Sequence, residues 1–264
     1  MCRFLLDELT QLKVSQDLPE INSLMGTIAK LRPDFISINT HPESNIPVAE
    51  VCLRDAVEAL ADARYALGEC YEHIIWYREK VQPPNEEGAV VFGRFYADDI
   101  AFRLYSAGEH LANAIIYMLE IDDQQLDPYR TGRTSQQAIV GNYLIREQPN
   151  SSVTRAVLKL AQSKEWQRTS EYRSKLVHDQ PPTVKGLGEV YKRARRWQKT
   201  KGGYGLGIGQ GDAPEHSLEE ILSFIKPALF LFTDALASMT GLYIESLKSK
   251  GFTLSGDSLE IKVI

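Results

Sequence analysis

Apolar residues recur every three to four positions along most of this chain, and strict two-residue alternation is nearly absent, so the pattern predicts helices rather than strands. Two short amphipathic pieces are expected near 3–14 and 19–31. A long helix follows over about 47–82, stopped by Pro83 and Pro84, and another over about 93–121. Their lengths and short connection predict an antiparallel hairpin. A third helical region is expected from Ser151 to Asp179, with Asn150 as N-cap, a break near Ser163-Lys164, and Pro181-Pro182 forbidding continuation.

The last helix is expected over about 217–249, opened by a capping box of Ser217 and Glu220. Its apolar run, Ile221 to Ile244, is interrupted by Lys226, Pro227 and Asp234, so it predicts a buried core helix and no membrane span. Together these segments predict an all-α antiparallel bundle of four main helices. The N-terminal pieces (1–46) pack on the bundle (47–250), and a tail (251–264) alternates Leu259, Ile261 and Val263 with charged residues, predicting a small hairpin around Ser255-Gly256-Asp257.

Composition narrows the possible chemistry. A net charge of −5 argues against a protein that coats nucleic acid with its whole surface and leaves room only for a local basic site. Such a segment is present: Tyr191 to Gly211 gathers Lys192, Arg193, Arg195, Arg196, Lys199 and Lys201 ahead of a glycine-rich tract. It reads either as a solvated loop between helices, or as a strip tracking a phosphate backbone while Trp197 or Tyr204 stacks on a base. The glycines lack the spacing of a Rossmann or P-loop site.

Three cysteines make no disulfide framework: Cys52 and Cys70 stand about 27 Å apart along one helix. With no signal peptide expected in MCRFLLDELTQL, the reading is cytoplasmic. None of the five histidines falls in a metal-binding spacing, so neither a metal nor another cofactor is expected.

What remains is EYRSKLVHDQPP, in which Arg173 and His178 are separated by four residues: a cation able to hold phosphate charge and an imidazole able to move a proton. Arg173-Ser-Lys-Leu-Val-His178 resembles the motif of the HEPN superfamily, helical bundles whose nuclease members carry Arg, four to six residues, then His. The resemblance spans about 47–250, and RLYSAGEHLANAI (Arg103 to Ile115) is similar to an early bundle helix of that superfamily. Arg103 and His110 satisfy the same loose spacing. Position late in the third helical region, before a proline stop, singles out Arg173 and His178.

The resemblance implies a metal-independent endoribonuclease acting as a homodimer, with the motifs of two subunits facing one cleft. His178 would serve as general acid or base at the ribose 2'-hydroxyl or leaving oxygen, and Arg173 would stabilise transition-state charge. On the preceding helix, Phe102, Ser106, Glu109, Asn113 and Ile116 share a face expected to oppose this pair. Glu109 would orient Arg173 and Asn113 would bond a phosphate or sugar, or the two would form a self-satisfied polar network. Asp98 and Asp99 are assigned to the solvated start of that helix. The alternative function is a non-catalytic bundle binding a nucleotide, RNA or a protein partner, such as the antitoxin of a toxin pair.

Overall fold

Small and large residues alternate at heptad spacing along the first long helix. After the short helix α1 (Asn22–Lys30), helix α2 (Ile46–Ile75) buries Ala49, Leu53, Ala56, Leu60, Ala63, Leu67, Cys70 and Ile74, a three-four repeat that turns one stripe toward a partner. Helix α3 (Glu86–Met118) answers with Gly93, Ala97, Ile100, Leu104, Ala107, Leu111, Ala114 and Met118, all buried.

Three contacts fix the antiparallel register of this hairpin. The Cys70 thiol donates to the Gly93 carbonyl at 3.2 Å, Arg103 Nη1 meets Asp62 Oδ2 at 2.8 Å, and His110 Nδ1 lies 3.8 Å from Asp55 Oδ2. Ala56 therefore stands opposite Ala107 and Ala49 opposite Ala114, so small residues face small residues and the helix backbones can approach closely. Burial pushes the Cys70 thiol up to about 12, which leaves it an inert part of the seam.

The structure, a computed structural model, describes residues 18–31, 45–132, 134–178, 181–187, 191–193, 198–205, 208–210, 213–249, 252–255 and 258–261. The helix expected near 3–14 lies outside them. Around the hairpin are arranged α4 (Asp123–Leu126), α5 (Gln136–Glu147), α6 (Ser152–Ala161), α7 (Lys164–His178) and α8 (Leu218–Ser249). The molecule is an all-α bundle, as expected, with eight α-helices, long and short, among the described residues.

Several expected boundaries have visible causes. Ser163 Oγ accepts from the Trp166 N–H at 3.1 Å and restarts the chain as α7, so the break near Ser163-Lys164 is a cap. Ser217 and Glu220 exchange side-chain to backbone hydrogen bonds at 2.8 and 3.1 Å, the capping box that opens α8. Helix α3 begins at Glu86 rather than near 93, because Asn85 accepts from the Gly88 N–H at 2.8 Å and two glutamates occupy the first turn, where the helix dipole favours them. Helix α2 widens into a π-turn, Trp76–Lys80, before the prolines.

Helix α8 is long and apolar enough to cross a membrane, yet it packs against α2, α3, α6 and α7. At the meeting of α2, α3 and α8, a Cβ on Gly93 would stand 2.5 Å from Leu218 Cδ2 and 3.1 Å from Ile74 Cγ1, so any larger residue there must displace these buried side chains. The basic segment contains two antiparallel pairs: Tyr191–Arg193 with Ile208–Gln210, and Gln198–Thr200 with Gly203–Gly205. The tail pairs Phe252–Ser255 with Ser258–Ile261.

Because Ala56 and Ala107 are fully buried against one another's helix, Ala56→Leu is expected to overpack the seam and cost about 1–3 kcal/mol in chemical denaturation.

Candidate functional site

Helix α7 is amphipathic by a repeat of three: Trp166, Thr169 and Tyr172 are buried. Trp166 stacks on Phe232 of α8 with centroids 5.5 Å apart and planes at 14°. Tyr172 donates its hydroxyl to Asp98 Oδ1 of α3 at 2.5 Å, and Arg94 Nε approaches Asp98 Oδ2 at 3.4 Å. The Tyr172 ring also meets His216 and Phe224 edge-on, at 6.0 and 5.8 Å.

These contacts set the electrostatics of the α3–α7 seam. Burial raises the Asp98 carboxyl above the ordinary carboxylate range, against the opposing pull of Tyr172 and Arg94. The Tyr172 phenol is raised by burial and by the Asp98 charge. Burial lowers the His216 imidazole. Asp98 is thus a half-buried residue well inside α3, not part of a solvated helix start, for the reason that α3 begins twelve residues before it, at Glu86. Asp99, by contrast, pairs with Arg103 at the surface, at 3.3 Å.

Arg173, the next residue along, reaches α3 two turns away from Asp98. Its guanidinium lies 3.7 Å over the Tyr105 ring, and its Nε is buried with no hydrogen-bond partner among the described residues. His178 is the last residue of α7 and is exposed. Five residues correspond to roughly 140° of rotation and about 7.5 Å of rise, so the two side chains leave the helix in different directions.

Charge pairing separates this pair from the competing one. Arg103 is bound to Asp62 and Asp99, and His110 sits beside Asp55, so both are taken up in holding α2 to α3. Neither Arg173 nor His178 forms an ion pair with a carboxylate among the described residues.

The expected supporting stripe is placed differently. Glu109 accepts from the backbone N–H groups of Gln136 and Gln137 at 3.1 and 3.4 Å, and so anchors the first turn of α5. Asn113 is half-buried on α3, about 12 Å along the helix from Tyr105. The aromatic partner of Arg173, Tyr105, was missed in the sequence. Its signal was the seven-residue spacing from Asp98, which puts both on one face of α3.

Of the basic segment, Lys192 and Arg193 lie in the first paired strand, Lys199 in the second, and Lys201 is exposed in the turn after it. Arg195, Arg196 and Trp197 lie outside the described residues. No group of three or more His, Cys, Asp or Glu residues is placed to hold a metal among the described residues. A small apolar cavity of about 80 Å³ lies between α3, α5, α6, α7 and α8, with Gln137 the polar group in its wall. No family model, curated protein or solved structure matches this chain.

Two measurements probe these assignments. Since the folded state favours protonated Asp98, that stabilisation is fully present below the unfolded value of about 4 and is lost as pH rises through the raised value. Asp98→Asn keeps an acceptor for Tyr172 without a charge, so its thermal stability should improve relative to wild type as pH is taken from about 4 to 7. Glu109→Ala should lower stability by about 0.5–2 kcal/mol through loss of the α5 anchor, read by urea unfolding.

Proposed function

We propose that this protein is a HEPN-like helical bundle that acts on RNA through Arg173 and His178, cleaving the phosphodiester without a metal as a homodimer. The supporting observation is one of charge: Arg94 and Arg103 on α3 are paired with carboxylates, whereas Arg173 has none among the described residues and keeps an unpartnered, buried Nε. A phosphate supplies the missing counter-charge, and a guanidinium presents a planar fork of donors suited to it. The exposed imidazole of His178 is accessible to a ribose 2'-hydroxyl or a leaving oxygen and can take or give a proton there.

The two side chains diverge on one helix, which counts against a site formed by both within one copy. Groups roughly 140° apart on α7 converge on one phosphodiester most readily when the arginine of one subunit works with the histidine of the other.

The same divergence, with Arg173 already engaged by Tyr105, favours a second reading in which the surface binds RNA, a nucleotide or an acidic protein partner without turnover. The test is incubation of purified protein with labelled RNA in EDTA. Cleavage by wild type, reduced on the order of 100-fold in His178→Ala and in Arg173→Ala, is the expected result. Cleavage unchanged in both variants sinks the nuclease assignment to this pair. Binding without cleavage, weakened by Arg173→Ala, leaves the second reading standing.

A further inference from the structure

We infer that Tyr105 is the positioning residue for Arg173: its ring holds the guanidinium by one face and leaves the in-plane N–H groups to receive a phosphate. This deepens the reading of Arg173 as the phosphate-binding group and rests on it.

The geometry is that of a cradle. Arg173 Cζ lies 3.7 Å from the Tyr105 ring centroid, inside the range in which a cation is attracted to the face of an aromatic ring. An arginine stacked in this way keeps its hydrogen-bonding edge free, because all five N–H groups lie in the guanidinium plane while the ring occupies the space above it. Nε is buried with no partner among the described residues, so the edge left for a phosphate is that of the two terminal nitrogens of this part-exposed residue. A carboxylate would hold an arginine more strongly, but would also neutralise it and occupy the fork, as Asp62 and Asp99 do at Arg103.

Tyr105 is itself well placed to act as a fixed wall. It sits mid-helix in α3, whose opposite stripe is locked to α2 through Leu104 and Ala107. Two turns earlier on the same face, Asp98 binds Tyr172, the residue directly before Arg173. The hydrogen bond fixes the rotation of α7, and the ring then fixes the end of the arginine side chain.

The experiment is a double-mutant cycle on binding of a fluorescent, non-cleavable 2'-O-methyl single-stranded RNA, followed by anisotropy in the full chain. Arg173→Ala is expected to weaken binding about 10-fold, the loss of one charged phosphate contact. Tyr105→Leu should weaken it by about 3–10-fold with an unchanged circular dichroism spectrum, and Tyr105→Phe, which keeps the ring face, should bind within about twofold of wild type. In the double variant Tyr105→Leu/Arg173→Ala the loss should equal that of Arg173→Ala alone.

Wild-type affinity in Tyr105→Leu, or losses that add in the double variant, would overturn the positioning role while leaving Arg173 as the binding group. An unchanged affinity in Arg173→Ala would overturn both this inference and the reading beneath it. Should Tyr105→Leu alter the spectrum, Tyr105→Gln takes its place in the cycle.

Discussion

The close approach of α2 and α3 is the constraint on which the other elements depend. Alanine, glycine and cysteine occupy every other buried position of the two facing stripes over most of their length, and a cysteine thiol reaches the Gly93 carbonyl across them. At such a seam the stabilisation comes from backbone-near contacts, and there is little slack for a larger side chain. A rigid hairpin of this kind can offer its remaining faces as fixed surfaces. Helices α5, α7 and α8 each pack on α3, through Glu109, Asp98 and Gly93 respectively.

Two seams on one helix use charge in opposite ways. Toward α2, Arg103 and His110 stand at carboxylates two turns apart on the partner, and the ionic contacts serve the register. Toward α7, the carboxylate is engaged by a phenol and Arg94, and the cation beyond it rests on an aromatic ring. The first arrangement uses up its charges; the second leaves one unpaired among the described residues. Sequence spacing alone cannot tell these apart, since Arg103 with His110 and Arg173 with His178 both satisfy a loose Arg-to-His interval.

What the sequence made legible was mostly local. The proline stop after Gln82, the capping box at Ser217, the break near Ser163-Lys164 and the burial of the last helix all follow from short-range chemistry. Helix α5 was not anticipated, because Gln136–Glu147 is short and carries Gly141 and Asn142 inside it, and its first turn is held by Glu109 from 27 residues earlier. The role of Glu109 is a tertiary fact of the same sort. So is the burial of Asp98, which depends on where α3 starts and on Tyr172 lying 74 residues away. The face expected to oppose Arg173 was out by one residue of helix rotation: Tyr105, neighbour of Ser106, is the one that meets it. In the basic segment the glycines mask the short pairing that Thr200 and Gly203 close.

The stacked arginine has a further meaning in terms of disorder. A free arginine side chain carries about 2 kcal/mol of rotamer entropy, which an exposed one gives up only when it grasps something. Arg173 has given up a large share of that freedom on folding, against Tyr105. An anion arriving there would meet a cation whose search is already over, and the cost of holding it still would be carried by the bundle rather than by the encounter.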